Sequence, residues 1–263
     1  MSIFGKNIHI LKVTFLGTGT SQGIPIIGST HPVCLSEDPK DKRLRVSVLL
    51  EWDNHAYVID CGPDFRQQLL KNPINRLDGI LFTHEHNDHV AGLDDVRPFY
   101  FRQGDIKIFA HERVIKALKK RYDYVFALED KYPGAPTLDI NEIDGTPIQL
   151  GNKTVIPVDV YHGALQVYGF RIDDFAYVTD AKTIPDESLE KLKNLDVLVI
   201  NALRFEPHNT HLNVEEALSV VNILKPKKTY FTHISHHLGF HKEVSKELPK
   251  GVYLAYDNLK ITI

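Results

Sequence analysis

His84, His86, Asp88 and His89 fall within one stretch, Thr83-His-Glu-His-Asn-Asp-His89. Three imidazoles and a carboxylate this close are costly to gather unless a cation holds them, and they are the ligands that zinc and its first-row neighbours select. The other reading of such a cluster is a solvated histidine-rich loop. The flanking residues favour the metal. Leu77-Asp-Gly-Ile-Leu-Phe82 suits a short buried strand, and Val90-Ala-Gly-Leu-Asp-Asp-Val-Arg97 reads as the opening turns of a helix. Ligands on a strand-to-helix turn are held by two rigid elements, and sites in open α/β sheets gather beyond the carboxyl ends of strands. His84 and His86, two apart in extended chain, can face one ion, while Asp88 and His89 can reach a second. The spacing predicts two metals rather than one.

Two metals need more ligands than this stretch supplies, and these too should lie at strand ends. His162 follows a strand ending at Tyr161, Asp180 follows Phe175-Ala-Tyr-Val-Thr179, and His233 follows Tyr230-Phe-Thr232. Any one of them alone reads as an ordinary polar loop residue. Three such residues after strands in one half of the chain make a joint case for ligation.

The elements that must carry these residues can be read from apolar patterning. Ile8 to Leu16 reads as a strand, followed by Gly17-Thr-Gly-Thr-Ser-Gln-Gly23. This is no dinucleotide fingerprint, because the glycine spacing is wrong and Ile24-Pro25-Ile26 stands where a helix should open. Val46 to Trp52 and Ala56 to Ile59 form a strand pair, with a short amphipathic helix from Asp64 to Lys71. Ile106 to Phe109 is a strand, Glu112 to Arg121 a helix, and residues 122–145 are irregular. The later half repeats the pattern with strands at Thr154–Tyr161, Gln166–Ile172, Phe175–Thr179, Val197–Ile200, Thr229–Thr232 and Asn258–Ile263. Helices at Asp186–Lys193 and Val214–Leu224 interrupt them. Meanders and helices in two similar halves predict two mixed sheets packed together with helices outside.

At this point the chain resembles the metallo-β-lactamase superfamily, whose ligand order is His-x-His-x-Asp-His, then His, Asp and His. The resemblance implies a four-layer αββα sandwich of the α/β class, one hydrolase domain over residues 1–263, and two divalent ions. Carried over, His84, His86, His162 and Asp180 would hold the first metal. Asp88, His89, Asp180 and His233 would hold the second, with Asp180 bridging. More narrowly, Leu16-Gly-Thr-Gly-Thr-Ser-Gln-Gly-Ile-Pro25, Arg43-Leu-Arg45 and Ile59-Asp-Cys-Gly-Pro-Asp-Phe-Arg66 look like the phosphoribosyl 1,2-cyclic phosphodiesterase group. That group hydrolyses cyclic phosphate diesters, often with manganese or zinc. Its catalytic histidine matches His211, whose other reading is a polar residue flanking the helix that Asn213 could cap. Its separate structural zinc site matches His31, Cys34 and His236. Ser29 and His31 replace the first two cysteines, so the site is either completed by water or His237, or lost.

The resemblance implies metal-hydroxide attack at phosphorus on a small cyclic phosphate diester, with His211 as general acid or phosphate clamp. Asp60 is expected to orient a ligand histidine, or else simply to form a turn. Arg43, Arg45, Arg97 and Arg204 could bind a second phosphate, although each reads first as a solvated charge. Residues Tyr122–Gly134 read either as a lid or as a satellite packing cluster.

At 263 residues with a net charge of −3, the chain has no basic exosite for tRNA, which speaks against an RNA 3′-processing endonuclease. A thioesterase or lactonase remains open, as does a non-catalytic metal-binding scaffold. The opening residues show no signal-peptide pattern, no run is long enough to span a bilayer, and two cysteines make no disulfide framework. A cytoplasmic protein is expected. The expected partner is a small-molecule phosphodiester, with no membrane or nucleic acid, and a homodimer as the assembly.

Overall fold

Strand residues here alternate between two apolar surfaces, as side chains in pleated chain must when both sheet faces are covered. In the computed structural model, which describes residues 10–263, Tyr57 and Ile59 enter one core cluster while Ala56 and Val58 enter another. Likewise Phe175 and Tyr177 face inward between the sheets, and Ala176 and Val178 pack against helices. Fourteen strands form among the described residues: β1 (Lys12–Gly17), β2 (Ser47–Trp52), β3 (His55–Ile59), β4 (Gly79–Leu81), β5 (Ile106–Ala110), β6 (Leu138–Glu142), β7 (Ile148–Leu150), β8 (Lys153–His162), β9 (Leu165–Ile172), β10 (Phe175–Val178), β11 (Val197–Asn201), β12 (Lys228–Thr232), β13 (Val252–Leu254) and β14 (Lys260–Thr262). They build two seven-stranded sheets, ordered β14-β1-β2-β3-β4-β5-β6 and β13-β12-β11-β10-β9-β8-β7.

Both sheets are mixed. β3, β4, β5 and β6 run parallel, as do β10, β11, β12 and β13, while β1–β2 and β8–β9 pair antiparallel. A core of Phe15, Phe170, Phe175, Tyr177 and their neighbours fills the space between the sheets. The helices Phe65–Lys71 and Glu112–Arg121 cover the first sheet. Those at Asp186–Lys191, Val214–Leu224 and His241–Glu247 cover the second. The result is the αββα sandwich expected from the sequence. Each fully buried large side chain contributes about 1.5–3 kcal/mol of transfer free energy, so three such layers give a rigid frame.

Several boundaries differ from the patterning. The first strand begins at Lys12, and the expected residues Ile8 and His9 lie outside the described residues. The expected irregular stretch contains a turn of helix, Asp123–Phe126, and the edge strand β6. β7, β13 and the helix His241–Glu247 were not expected either. Asp53 and Asn54, with φ of 44° and 67°, make the tight β2–β3 turn. No helix of the described residues is long and apolar enough to cross a membrane.

Arg43, read first as a solvated charge, is buried. Its Nη1 donates to Thr18 Oγ1 at 2.8 Å and to the Ala255 carbonyl at 2.6 Å, and its Nη2 faces His241 Nδ1 at 3.0 Å. Burial pulls the His241 imidazole down to about 4, with the Arg43 and Lys40 charges adding to the effect and Asp41 and Asp38 opposing it. As pH falls below the ordinary histidine range, the unfolded chain takes up this proton first. The contribution of His241 is therefore full near neutrality and is lost as pH approaches 4. Relative to His241→Asn, the wild type is expected to lose about 1–2 kcal/mol of stability between about pH 7.5 and about pH 5. Urea unfolding of both proteins at the two pH values measures it, and a pH-independent difference would contradict it.

Candidate metal centre

The site is assembled at the carboxyl ends of strands from both sheets. Asp60 follows β3, and Thr83 to His89 follow β4 through the helical turn Asn87–Val90. His162 ends β8, Asp180 follows β10, and His233 follows β12. Asp60, Asp180 and His233 have φ of 61°, 54° and 54°. Non-glycine residues in this left-handed region cost about 1–3 kcal/mol each and collect at functional sites, where the surrounding structure holds them. Gly62 allows the Asp60 turn to approach the histidine turn, since a Cβ there would sit 2.0 Å from the Asp88 carbonyl oxygen.

Asp60, at 0% exposure, is fully engaged as an orienting group. Its Oδ1 accepts from the Thr83 backbone N–H at 2.9 Å, and its Oδ2 accepts from Thr83 Oγ1 at 2.8 Å. The same Oδ2 lies 2.7 Å from His89 Nδ1, which donates to it and leaves His89 Nε2 facing the cleft. That Nε2 lies 3.2 Å from Asp88 Oδ2 and 3.3 Å from Asp180 Oδ2. His233 Nε2 lies 3.2 Å from Asp180 Oδ1 and 3.8 Å from Asp88 Oδ2. His84 Nε2 sits 2.9 Å from His86 Nδ1, and the His86 and His162 ring centroids are 5.3 Å apart. His162 Nδ1 donates to the Thr210 carbonyl over 2.7 Å, which turns its Nε2 toward the cluster.

All seven expected ligands therefore converge. Three groups have donor atoms within 4.8 Å of one another: His84, His89 and Asp180; Asp88, His89 and His233; and His162, Asp180 and His211. Asp180 and His89 each belong to two of the three. His86 stands outside these groups but contacts His84 directly.

The electrostatics fit a cation. Burial alone would lower His89, but the Asp88, Asp180 and Asp60 charges outweigh it and raise the ring well above the ordinary value. Burial would raise Asp180, but the charges of His233 and His89 hold it well below the usual carboxylate range. His84, buried with imidazole neighbours, is pushed well below its ordinary value and offers a lone pair. His89 Nε2 and His233 Nε2 make no hydrogen bond although both rings are buried. Unpartnered buried nitrogens facing buried carboxylates match the donor set of a divalent transition metal.

A profile of the beta-lactamase superfamily domain matches residues 55–234. The chain belongs to the metallo-β-lactamase superfamily. Within it the chain is PhnP-like: it aligns at 41% identity and TM-score 0.91, covering 97% of both chains, with the crystal structure of a new diphosphatase from the PhnP family. It is 38% identical over 256 residues to an octanoyltransferase of Porphyromonas gingivalis, covering 96% of this chain and 52% of that one. It is 26% identical over 229 residues to a ribonuclease Z of Methanococcus maripaludis, covering 83% and 65%. The chain thus spans about half to two thirds of the length of these curated relatives.

The second site expected from the narrower resemblance to the cyclic phosphodiesterase group is assembled only in part. His31 packs against His236 and His237, with ring centroids 4.8 and 5.7 Å away. His31 Nδ1 is used to cap the helical turn Pro32–Leu35, accepting from Val33 N at 3.3 Å. Cys34 is buried with Ile24, Val33 and Phe240 in a small apolar cluster. Among the described residues, no group of donor atoms within 4.8 Å includes Cys34, His31 or His236.

The arginines weighed as phosphate ligands are otherwise engaged. Arg45 pairs with Asp64, Arg97 with Asp94, and Arg204 donates to the Glu206 and Pro207 carbonyls. The packing reading holds for the aromatic start of the expected lid: Tyr122 and Val125 belong to the first core, and Tyr122 donates to the Val90 carbonyl at 3.0 Å. Sequence reading missed Thr83, whose hydroxyl links Asp60 to the His84 ring at 3.0 Å. It also missed His208, three residues before His211, although the repeated histidine was visible in Pro207-His-Asn-Thr-His211.

Proposed function

We propose that this chain is a dinuclear metal-dependent hydrolase acting at phosphorus on a small phosphate diester, cyclic esters of a sugar or nucleotide foremost. His84, His86, His162 and Asp180 would hold one cation, and Asp88, His89, Asp180 and His233 the other, with zinc or manganese as the metal. The observation that carries this reading is the gathering of His84, His89 and His162 about Asp180 and of Asp88 and His233 about His89, with His89 Nε2 and His233 Nε2 buried and making no hydrogen bond. Such cations, when bound, supply Lewis acidity that brings a water's pKa toward neutrality and neutralises phosphate oxygens. The protein's own part is orientation and proton handling. Asp60 and the Thr210 carbonyl fix two ring orientations, as described above. His211, at Nε2 only 3.0 Å from Asp180 Oδ1, stands beside the reacting position and delivers a proton to the leaving oxygen.

Two names among the relatives supply the alternatives. The 41%-identical neighbour is called a diphosphatase, which favours a P–O–P linkage as the second reading. The 38%-identical relative is called an octanoyltransferase, which makes an acyl thioester worth testing. Purified protein loaded with manganese or zinc should be assayed against bis(p-nitrophenyl) phosphate, cyclic phosphodiesters, a diphosphate diester, a thioester and a lactone. Turnover confined to the phosphorus esters is the expected result. Turnover of only the thioester or lactone would move the reaction to carbon, and inertness toward every ester would favour a scaffold.

A further inference from the structure

His84 and His86 lie on one side of their turn, with ring centroids 4.5 Å apart. Glu85 stands between them and projects to the other side, as alternate side chains of extended chain do. There it meets Arg113. Arg113 Nε donates to Glu85 Oε1 at 2.8 Å, and Nη2 donates to the Gln166 carbonyl at 2.6 Å. The two ends of this contact belong to different layers. Arg113 sits in the first turn of the helix Glu112–Arg121, whose Val114, Ile115 and Leu118 pack on the first sheet. His111 Nδ1 caps that turn by accepting from the Arg113 backbone N–H at 3.1 Å. Gln166 lies on β9 of the second sheet and pairs with Tyr161, the residue before His162. Two residues along β9, the Tyr168 backbone N–H donates to the Thr83 carbonyl at 3.1 Å. The His233 side is tied across the layers by other means. Ile234 donates its N–H to the Thr18 carbonyl at 2.9 Å and accepts from the Thr20 N–H at 3.0 Å.

We propose that Arg113 is a positioning residue that clamps the His84–His86 turn to the β8–β9 hairpin. It sets the spacing of His84 and His86 to His162, and leaves that of Asp88 and His89 to His233 to the Ile234 ties. The part that concerns cations rests on the dinuclear reading above; the clamp itself does not. A cation binds tightly where its ligands already stand at the right spacing, because ordering them otherwise opposes binding. Holding Glu85 outward aims both neighbouring imidazoles inward, and the bond to Gln166 fixes how far they stand from the strand end that carries His162. Arginine suits the task because its planar fork offers donors in two directions at once, which a lysine ammonium on a flexible stem does not.

Zinc affinity, measured by competition with a chromophoric chelator, tests the selectivity in two backgrounds. His233→Ala leaves the His84, His86 and His162 set, and His162→Ala leaves the Asp88, His89 and His233 set. Arg113→Ala is expected to weaken zinc by about tenfold to a hundredfold in the first background and by less than about twofold in the second. Glu85→Ala should match Arg113→Ala, the double variant should be no worse than either, and Glu85→Gln, which keeps an acceptor, should stay near the parent. Arg113→Lys should recover only part of the loss. Equal weakening in both backgrounds, or none in the first, would overturn the proposal. Amide exchange of the full chain under chelator reads the clamp without metal or substrate. In Arg113→Ala the Tyr168 amide should exchange about tenfold faster or more, with Ile234 unchanged. An unaltered Tyr168 amide, or equal acceleration at Ile234, would overturn the clamp. Should Arg113→Ala or a background not fold, exchange in Glu85→Ala decides in the same way. Absence of zinc binding in every variant would sink the dinuclear reading instead, and exchange would still judge the clamp.

Discussion

Asp180→Ala is expected to abolish binding of both cations and to lower turnover on the order of a thousandfold or more, the scale on which interdependent catalytic groups fail. Asp180 is the carboxylate shared by the groups around His84 and His162, and its two oxygens face His89, His211 and His233 within 3.3 Å. It is held in place by Thr179 Oγ1, which donates to its Oδ2 at 2.8 Å, and by Asn201, which ties down the Ala181 backbone. Losing it leaves buried imidazoles facing one another with less negative charge between them. Elemental analysis of the purified variant decides the matter, and two ions still present per chain would refute the shared role. Asp180→Asn, which preserves shape, should show the same metal loss and so separate charge from packing.

His211→Ala should leave the metal content intact and reduce kcat by about a hundredfold or more, the usual worth of a general acid–base group. The ring is 11% exposed, stacks on His233 at 4.8 Å between centroids, packs edge-on against His162 at 4.5 Å, and reaches Asp180 Oδ1 through Nε2 at 3.0 Å. Truncating it therefore removes a proton donor without removing the main cage. The expected signature is a loss in kcat shared by kcat/KM. Steady-state rates matching wild type would take His211 out of the reaction.

The site was more legible in the sequence than the sheet edges were. Four of the seven converging residues are nearly contiguous, so their spacing alone announced a cation. His162, Asp180 and His233 became readable because each follows a strongly apolar strand, and the parallel strands β10, β11 and β12 end at one level. Asp60 was legible only as a choice between turn former and orienting group. It is both, since its left-handed φ of 61° aims the carboxylate at Thr83 and His89. The edge strands β6, β7 and β13 escaped because three to five residues of weak patterning carry little periodic signal. Arg43 misled for a different reason. Its burial depends on Thr18, Ala255 and His241, partners up to 212 positions away that no local pattern reveals.

The cage draws His84, His86, Asp88 and His89 from the first sheet and His162, Asp180 and His233 from the second. An ion seated there acts as a rivet through both layers. Shear of one layer over the other pulls its ligands apart, so occupancy and interlayer sliding must be thermodynamically linked. Chelation should accordingly speed amide exchange along β4 and β10 far more than in the distant β2–β3 turn.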